Sequence, residues 1–198
     1  MKRLATLLAL MPLPAFAHHA MGGTVPSSLW QGFASGIAHP VIGLDHLAFL
    51  IAAGLLAATL PGGTGAVAIL VFVLGGFVGS LAHIAGIGFG PVEAIVALSL
   101  LLAGLALLWR GLPDAIIPVA FAVAGLFHGH AFAEAIIGAE QGALVAYLAA
   151  LALTQAAIGL GVMLLARRGA AWLPRLRTAI GASAASLGAV FLVLALVA

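Results

Sequence analysis

The sequence predicts an all-α membrane protein: a six-transmembrane-helix bundle after a cleavable signal peptide. Two observations carry that prediction. Of 198 residues, 65% are apolar and only 6% are charged, whereas a soluble domain carries roughly a quarter charged residues. The apolar residues also fall into tracts of about 20 residues, the length that crosses a bilayer core, separated by turns rich in Gly and Pro. Mean hydropathy is +1.31. So few charged side chains cannot cover a water-facing surface, which excludes an ordinary soluble enzyme and a disordered chain. The net charge of +2 rests on seven Lys/Arg against five Asp/Glu. That is too few for a phosphate-binding surface, so nucleic acid is excluded as a partner and membrane lipid is expected.

Taken in order, the elements justify themselves as follows. Lys2 and Arg3 precede an apolar run, Leu4 to Leu13, and Ala15-Phe16-Ala17 fits a small-x-small cleavage site. Residues 1–17 therefore read as a secretory signal peptide. Cleavage would leave His18-His19 at a new terminus, where an amine beside an imidazole can chelate a divalent metal. Residues 18–40 read as a periplasmic segment with a short interfacial helix. Ser28 can cap it, and Leu29, Trp30, Phe33 and Ile37 lie near one face. Pro40 disfavours helical geometry at His39 and suits the first position of the next helix.

The transmembrane domain then fills residues 41–198. Its spans are expected near 41–60, 66–87, 92–109, 115–133, 141–166 and 178 to the C-terminus. Turns at Pro61-Gly62-Gly63, Gly88-Phe89-Gly90-Pro91 and Gly111-Leu112-Pro113 separate them. A cleaved signal puts the mature N-terminus outside the cytoplasm. Six alternating spans then place Arg110, Arg167, Arg168, Arg175 and Arg177, every basic residue after position 17, on the cytoplasmic side. The positive-inside rule gives the same orientation independently. The predicted location is a bacterial inner membrane.

On this topology the histidines and all acids except Asp114 fall in the outer half of the bundle. His39, Asp45 and His46 open span 1, His83 closes span 2, and His128, His130 and Glu134 close span 4. Ionisable groups inside spans are costly and usually mark an ion or substrate path. Five helices, counting Glu93 and Glu140, contribute to one layer, so a convergent polar site is expected. His39 and His46 are two turns apart if the helix holds. His130 and Glu134 share a face, as do Ser80 and His83. His128 and His130 point to different sides unless the helix breaks at Gly129. Glu93 and Glu140 at helix starts also complement the helix dipole.

The chain has no Cys, so metal ligands must be nitrogen and oxygen. Imidazole with carboxylate suits Ni(II), Co(II), Zn(II) or Cu(II). Cu(I) is disfavoured, because only Met21 and Met163 remain after signal removal. The residues themselves do not choose among the divalent ions.

The segment His39-Pro40-Val41-Ile42-Gly43-Leu44-Asp45-His46 resembles the HPxxGxDH signature of the HupE/UreJ family. Phe127-His128-Gly129-His130-Ala131 resembles that family's second histidine motif. Ser80-Leu81-Ala82-His83 and the run from Pro91 to Ser99 resemble its central region. The resemblance implies a secondary nickel permease serving hydrogenase or urease maturation proteins, with nickel as substrate ion. It also implies that His39, Asp45 and His46 recognise or pass the ion, assisted by His128 and His130. After His130 the family pattern has further His and Gly, where this chain has Phe132 and Ala133. Glu134 is then the candidate replacement ligand.

No GxxxxGK[ST] motif occurs, so transport would not use ATP bound by this chain. Ser99, Thr154, Gln155, Ser183 and Ser186 are candidates for an inward path, or for helix–helix hydrogen bonds. No enzyme activity is expected. Two other readings remain at this point. One is an intramembrane hydrolase using a metal-activated water. The other is a membrane metal-binding accessory protein that does not transport.

Overall fold

The computed structural model describes residues 24–109, 111–169 and 171–197. The signal segment, His18, His19, Met21 and Arg110 lie outside the described residues. Within them the chain is helical throughout: α1 Leu29–Ile42, α2 Leu44–Ala58, α3 Thr64–Ile84, α4 Val92–Leu108, α5 Ile116–Ala133, α6 Gln141–Arg168 and α7 Leu173–Val197. A 3-10 turn, Glu134–Ile136, extends α5.

Each expected span has its helix, but not every helix has the length of a span. Helices α3, α6, α7 and α5 with its 3-10 turn are long and apolar enough to cross a membrane alone. Helix α4 is apolar but has 17 residues. Helices α1 and α2 qualify only together, and they are bent by 75°. The membrane count by length and composition is thus four, or five with the bent pair.

The first expected boundary moves. Pro40 does not start a helix; it lies inside the last turn of α1, and His39 is helical. The break falls three residues later at Gly43, whose backbone is extended (φ −72°, ψ 101°). The bias of a pre-proline residue against helix is a preference of backbone sterics. Here the packing of α1 against α6 and a buried hydrogen bond between His39 and Tyr147 outweigh it. A Cβ on Gly43 would meet His46 Cδ2 at 2.8 Å, so a larger residue at the bend would push the His46 ring aside. Ser28 caps α1 as expected, its Oγ accepting from the Gln31 amide at 3.2 Å. The last helix also begins earlier than expected, so Arg175 and Arg177 belong to α7 rather than to a turn.

Helix α2 runs through the centre, in contact with α3, α4, α6 and α7. Its Phe49, Leu50, Leu55 and Leu56 form the main core with Ile69, Phe72, Leu100, Leu107 and Phe121. The outer faces stay apolar: Leu74, Leu153, Leu165 and Val193 are all more than half exposed. An apolar surface of that extent fits a lipid environment. Helix α7 is the most lipid-facing of the candidate spans.

The two ends differ in chemistry. At one end Arg167 donates to the carbonyls of Gly62 (3.0 Å) and Leu60 (2.8 Å), closing the α2–α3 turn. Arg177 donates to Leu107 O at 3.2 Å. Arg175 stacks on the exposed Trp172, 5.5 Å from its centroid. The described histidines gather at the other end.

Candidate metal site

The bend at Gly43 builds the buried part of the site. In one continuous helix His39 and His46 would be about 10 Å apart along the axis. Across the bend their ring centroids are 6.2 Å apart, edge to face. His39 (3% exposed), Asp45 (4%), His46 (3%) and His128 (0%) are all buried. His39 Nδ1 lies 2.7 Å from Tyr147 Oη, and that hydroxyl donates to Phe132 O at 2.7 Å. His46 Nδ1 lies 2.9 Å from His128 Nδ1. His128 Nε2 lies 2.9 Å from Ser99 Oγ. Asp45 Oδ1 accepts from the His46 amide at 2.9 Å, in the first turn of α2.

Aromatic rings pack around this cluster. Phe132 lies tilted against His46 at 4.1 Å and meets His39 edge to face at 4.9 Å. Toward the Arg end, Phe49 lies 4.4 Å from His128 and 5.1 Å from Phe72. Phe72 also meets His128 edge-on at 5.5 Å, and Phe121 packs behind Phe49 at 6.1 Å.

His83 and His130 form a separate pair. Their Nδ1 atoms are 3.0 Å apart, and His130 Nε2 lies 2.9 Å from Ile87 O. His83 is half-buried and Glu134 is exposed. The Glu134 carboxylate is close enough to act electrostatically on His83.

The single convergent site expected from the sequence is therefore divided, and Gly129 divides it. Helix α5 is unbroken there, so His128 and His130 do point to different sides. Helix α3 crosses α5 at this residue: a Cβ on Gly129 would collide with the Gly76 backbone. Ser80 Oγ, on the same face as His83, donates to Gly129 O at 2.7 Å. Among the described residues, no three His, Asp or Glu side chains form a ready metal-holding group. Glu93 lies in the first turn of α4 and Glu140 precedes α6, both exposed, as dipole partners would be.

The candidate path residues also separate. Ser99 belongs to the buried cluster. Gln155 is buried, its Nε2 has no hydrogen-bond partner, and it lines a small cleft between α3 and α6 with Ser80 and Gly76. Ser183 and Ser186 are exposed on α7, away from the buried cluster. Sequence reasoning missed Tyr147 and the carbonyls of Phe132 and Ile87. Tyr147 had a usable signal: it is the one Tyr in the chain, inside an apolar span, and a buried phenol needs a partner.

Fold and site together define a polytopic helical membrane protein with a buried, sulfur-free imidazole and carboxylate cluster at a broken helix. The family model described as HupE / UreJ protein matches residues 6–191, and the chain belongs to that family. It is also 31% identical over 129 residues to Protein HupE of Rhizobium leguminosarum bv. viciae. That match covers 65% of this chain, and the chain spans 65% of the length of that curated relative. No solved structure matches it significantly.

Proposed function

We propose that the chain is a secondary, ATP-independent transition-metal permease that takes up nickel from the periplasm. Hydrogenase or urease maturation would consume the ion in the cytoplasm. One observation carries the reading: His39, Asp45 and His46 are buried together where α1 breaks from α2. Discontinuous helices of this kind supply ion sites in secondary transporters. The C-terminal end of α1 carries partial negative charge that favours a cation. Membership of a family linked to nickel and cobalt uptake supports the metal class.

In this reading the bent pair is one broken span and α4 a short one, giving six spans after a signal peptide. The Arg end faces the cytoplasm by the positive-inside rule. An ion meets His83, His130 and Glu134 first and the buried cluster second. Ser80 and Gln155 offer polar groups beyond it. A divalent cation moving down a 100 mV inside-negative potential gains about 4.6 kcal/mol, twice the single-charge value. Uptake needs no ATP on that account.

The test is nickel accumulation in cells expressing this chain, beside His46→Ala and Asp45→Ala at matched membrane abundance. Uptake above empty-vector cells, lost in both variants, is expected. Equal nickel in all strains with folded protein present would sink nickel permeation. Cobalt, zinc and copper are then assayed the same way. Chelator-sensitive hydrolysis of lipid or peptide by the purified protein would instead favour the hydrolase.

A further inference from the structure

We propose that Tyr147 and Ser99 are positioning residues that hold His39 and His46 in the Nδ1–H tautomer, so that both rings present Nε2 to a divalent metal cation. The inference rests on the permease reading for the metal and deepens it.

A phenol has one proton. Tyr147 Oη donates to Phe132 O at 2.7 Å. The 2.7 Å contact between Tyr147 Oη and His39 Nδ1 must then be a bond donated by His39. A neutral imidazole that donates from Nδ1 carries its lone pair on Nε2.

The second chain runs through two rings. Ser99 Oγ donates to Val96 O at 2.7 Å, a back-bond within α4. His128 Nε2–H must therefore be the donor in its 2.9 Å contact with Ser99 Oγ. Neutral His128 then accepts at Nδ1, so His46 Nδ1–H donates across 2.9 Å. The His46 lone pair falls on Nε2. His128 has both nitrogens committed to this chain and acts as a relay rather than a ligand. Metal-ligating histidines ordinarily donate the other ring N–H to a protein group, which fixes tautomer and ring orientation. His39 and His46 already make those bonds. If the Ser99 proton turned instead to His128 Nε2, the whole second chain would reverse. His46 would then carry its proton on Nε2, with no lone pair there for a metal.

Solid-state NMR of the full chain, with 15N,13C-labelled histidine, in lipid bilayers at neutral pH distinguishes the two directions. His39→Gln, His46→Gln and His128→Gln assign the signals by their loss. His39 and His46 as Nδ1–H and His128 as Nε2–H is the expected result. Nε2–H at His39 or His46 overturns the proposal. Nickel uptake kinetics give the consequence. Tyr147→Phe and Ser99→Ala should raise KM about 10- to 100-fold, the usual cost of losing a group that orients a metal ligand, with Vmax retained at matched abundance. Ser99→Thr keeps the hydroxyl and should restore KM. A fall in Vmax at unchanged KM, or a Ser99→Thr as poor as Ser99→Ala, means a structural role only and also overturns it. Wild-type cells that gain no nickel would end the permease reading alone, and the spectrum would still decide the tautomers.

Discussion

The two histidine pairs are built alike and placed differently. In each, one ring from α5 meets a partner ring through Nδ1, at 2.9 Å for His128 with His46 and 3.0 Å for His130 with His83. In each, the α5 ring also makes a contact through Nε2, to Ser99 Oγ or to Ile87 O, but His130 Nε2 lies in addition 3.1 Å from His83 Nδ1, so His83 meets both nitrogens of its partner. The His46 pair is sealed among Phe49, Phe72 and Phe132. In the other pair His130 is also buried, against Phe89, and only His83 is half-buried, with Glu134 acting on it. Burial is the difference that matters. A desolvated imidazole has no water to replace a lost partner, so its geometry is fixed by the protein. A half-exposed one exchanges partners with water at little cost. On the permease proposal the buried cluster would select the ion and the half-buried His83 would help to collect it.

The largest break in this comparison should come from the residue that separates the pairs. Gly129→Ala puts a methyl group into the Gly76 backbone, and backbone cannot move aside as a flexible side chain can. Overpacking of this kind costs roughly 1–3 kcal/mol or more. It should also displace His128 and His130 together. Uptake should be lost and thermal stability in detergent reduced. Gly88→Ala is the control, because a Cβ there meets nothing within 4 Å. A Gly129→Ala protein with native stability and uptake would show that the α3–α5 crossing does not hold the two pairs apart.

Single-ring deletions sharpen the comparison next. His46→Ala should cut uptake about 100-fold, the upper range for removing a partner in a metal network. His83→Ala should raise KM only several-fold and leave Vmax nearly unchanged, since water can take its place. Concentration-dependent nickel uptake at matched abundance reads both. Equal losses at the two positions would mean that the pairs form one functional unit.

Much of this was legible in the sequence, for identifiable reasons. Helix positions follow from apolar tracts ended by Gly and Pro, so α3 to α6 lie close to expectation. The segregation of Arg and His to opposite ends follows from alternating spans. The opposed directions of His128 and His130 follow from helical periodicity, about 100° per residue. The bend at Gly43 was not legible, because Pro40 is the stronger local breaker and only tertiary packing overrides it. The division into two clusters was not legible either. It depends on where α3 crosses α5, and sequence spacing within one helix says nothing about the helix that packs on it. Tyr147 escaped because its role is set by a residue 108 positions away.

The smallest expected effect is the response to pH, and it again divides the two pairs. An imidazole gains its proton over the slightly acid range, and the protonated ring has no lone pair for a metal. Protons therefore compete with the ion, so binding weakens as pH falls and strengthens as it rises. Nickel uptake at a concentration below KM should drop several-fold between pH 7.5 and 5.5. His83 is half-buried, whereas His46 is buried among aromatic rings, so protons are expected to reach His83 more readily. His83→Gln should therefore flatten part of the profile while leaving uptake at pH 7.5 within a few-fold of wild type. Initial rates across that range in both proteins, at fixed membrane potential, measure this. A flat wild-type profile would argue against capture by imidazole. A rate that rises toward acid would mean that coupling to protons outweighs competition. The shallow pair would then be a proton site rather than a collector of metal.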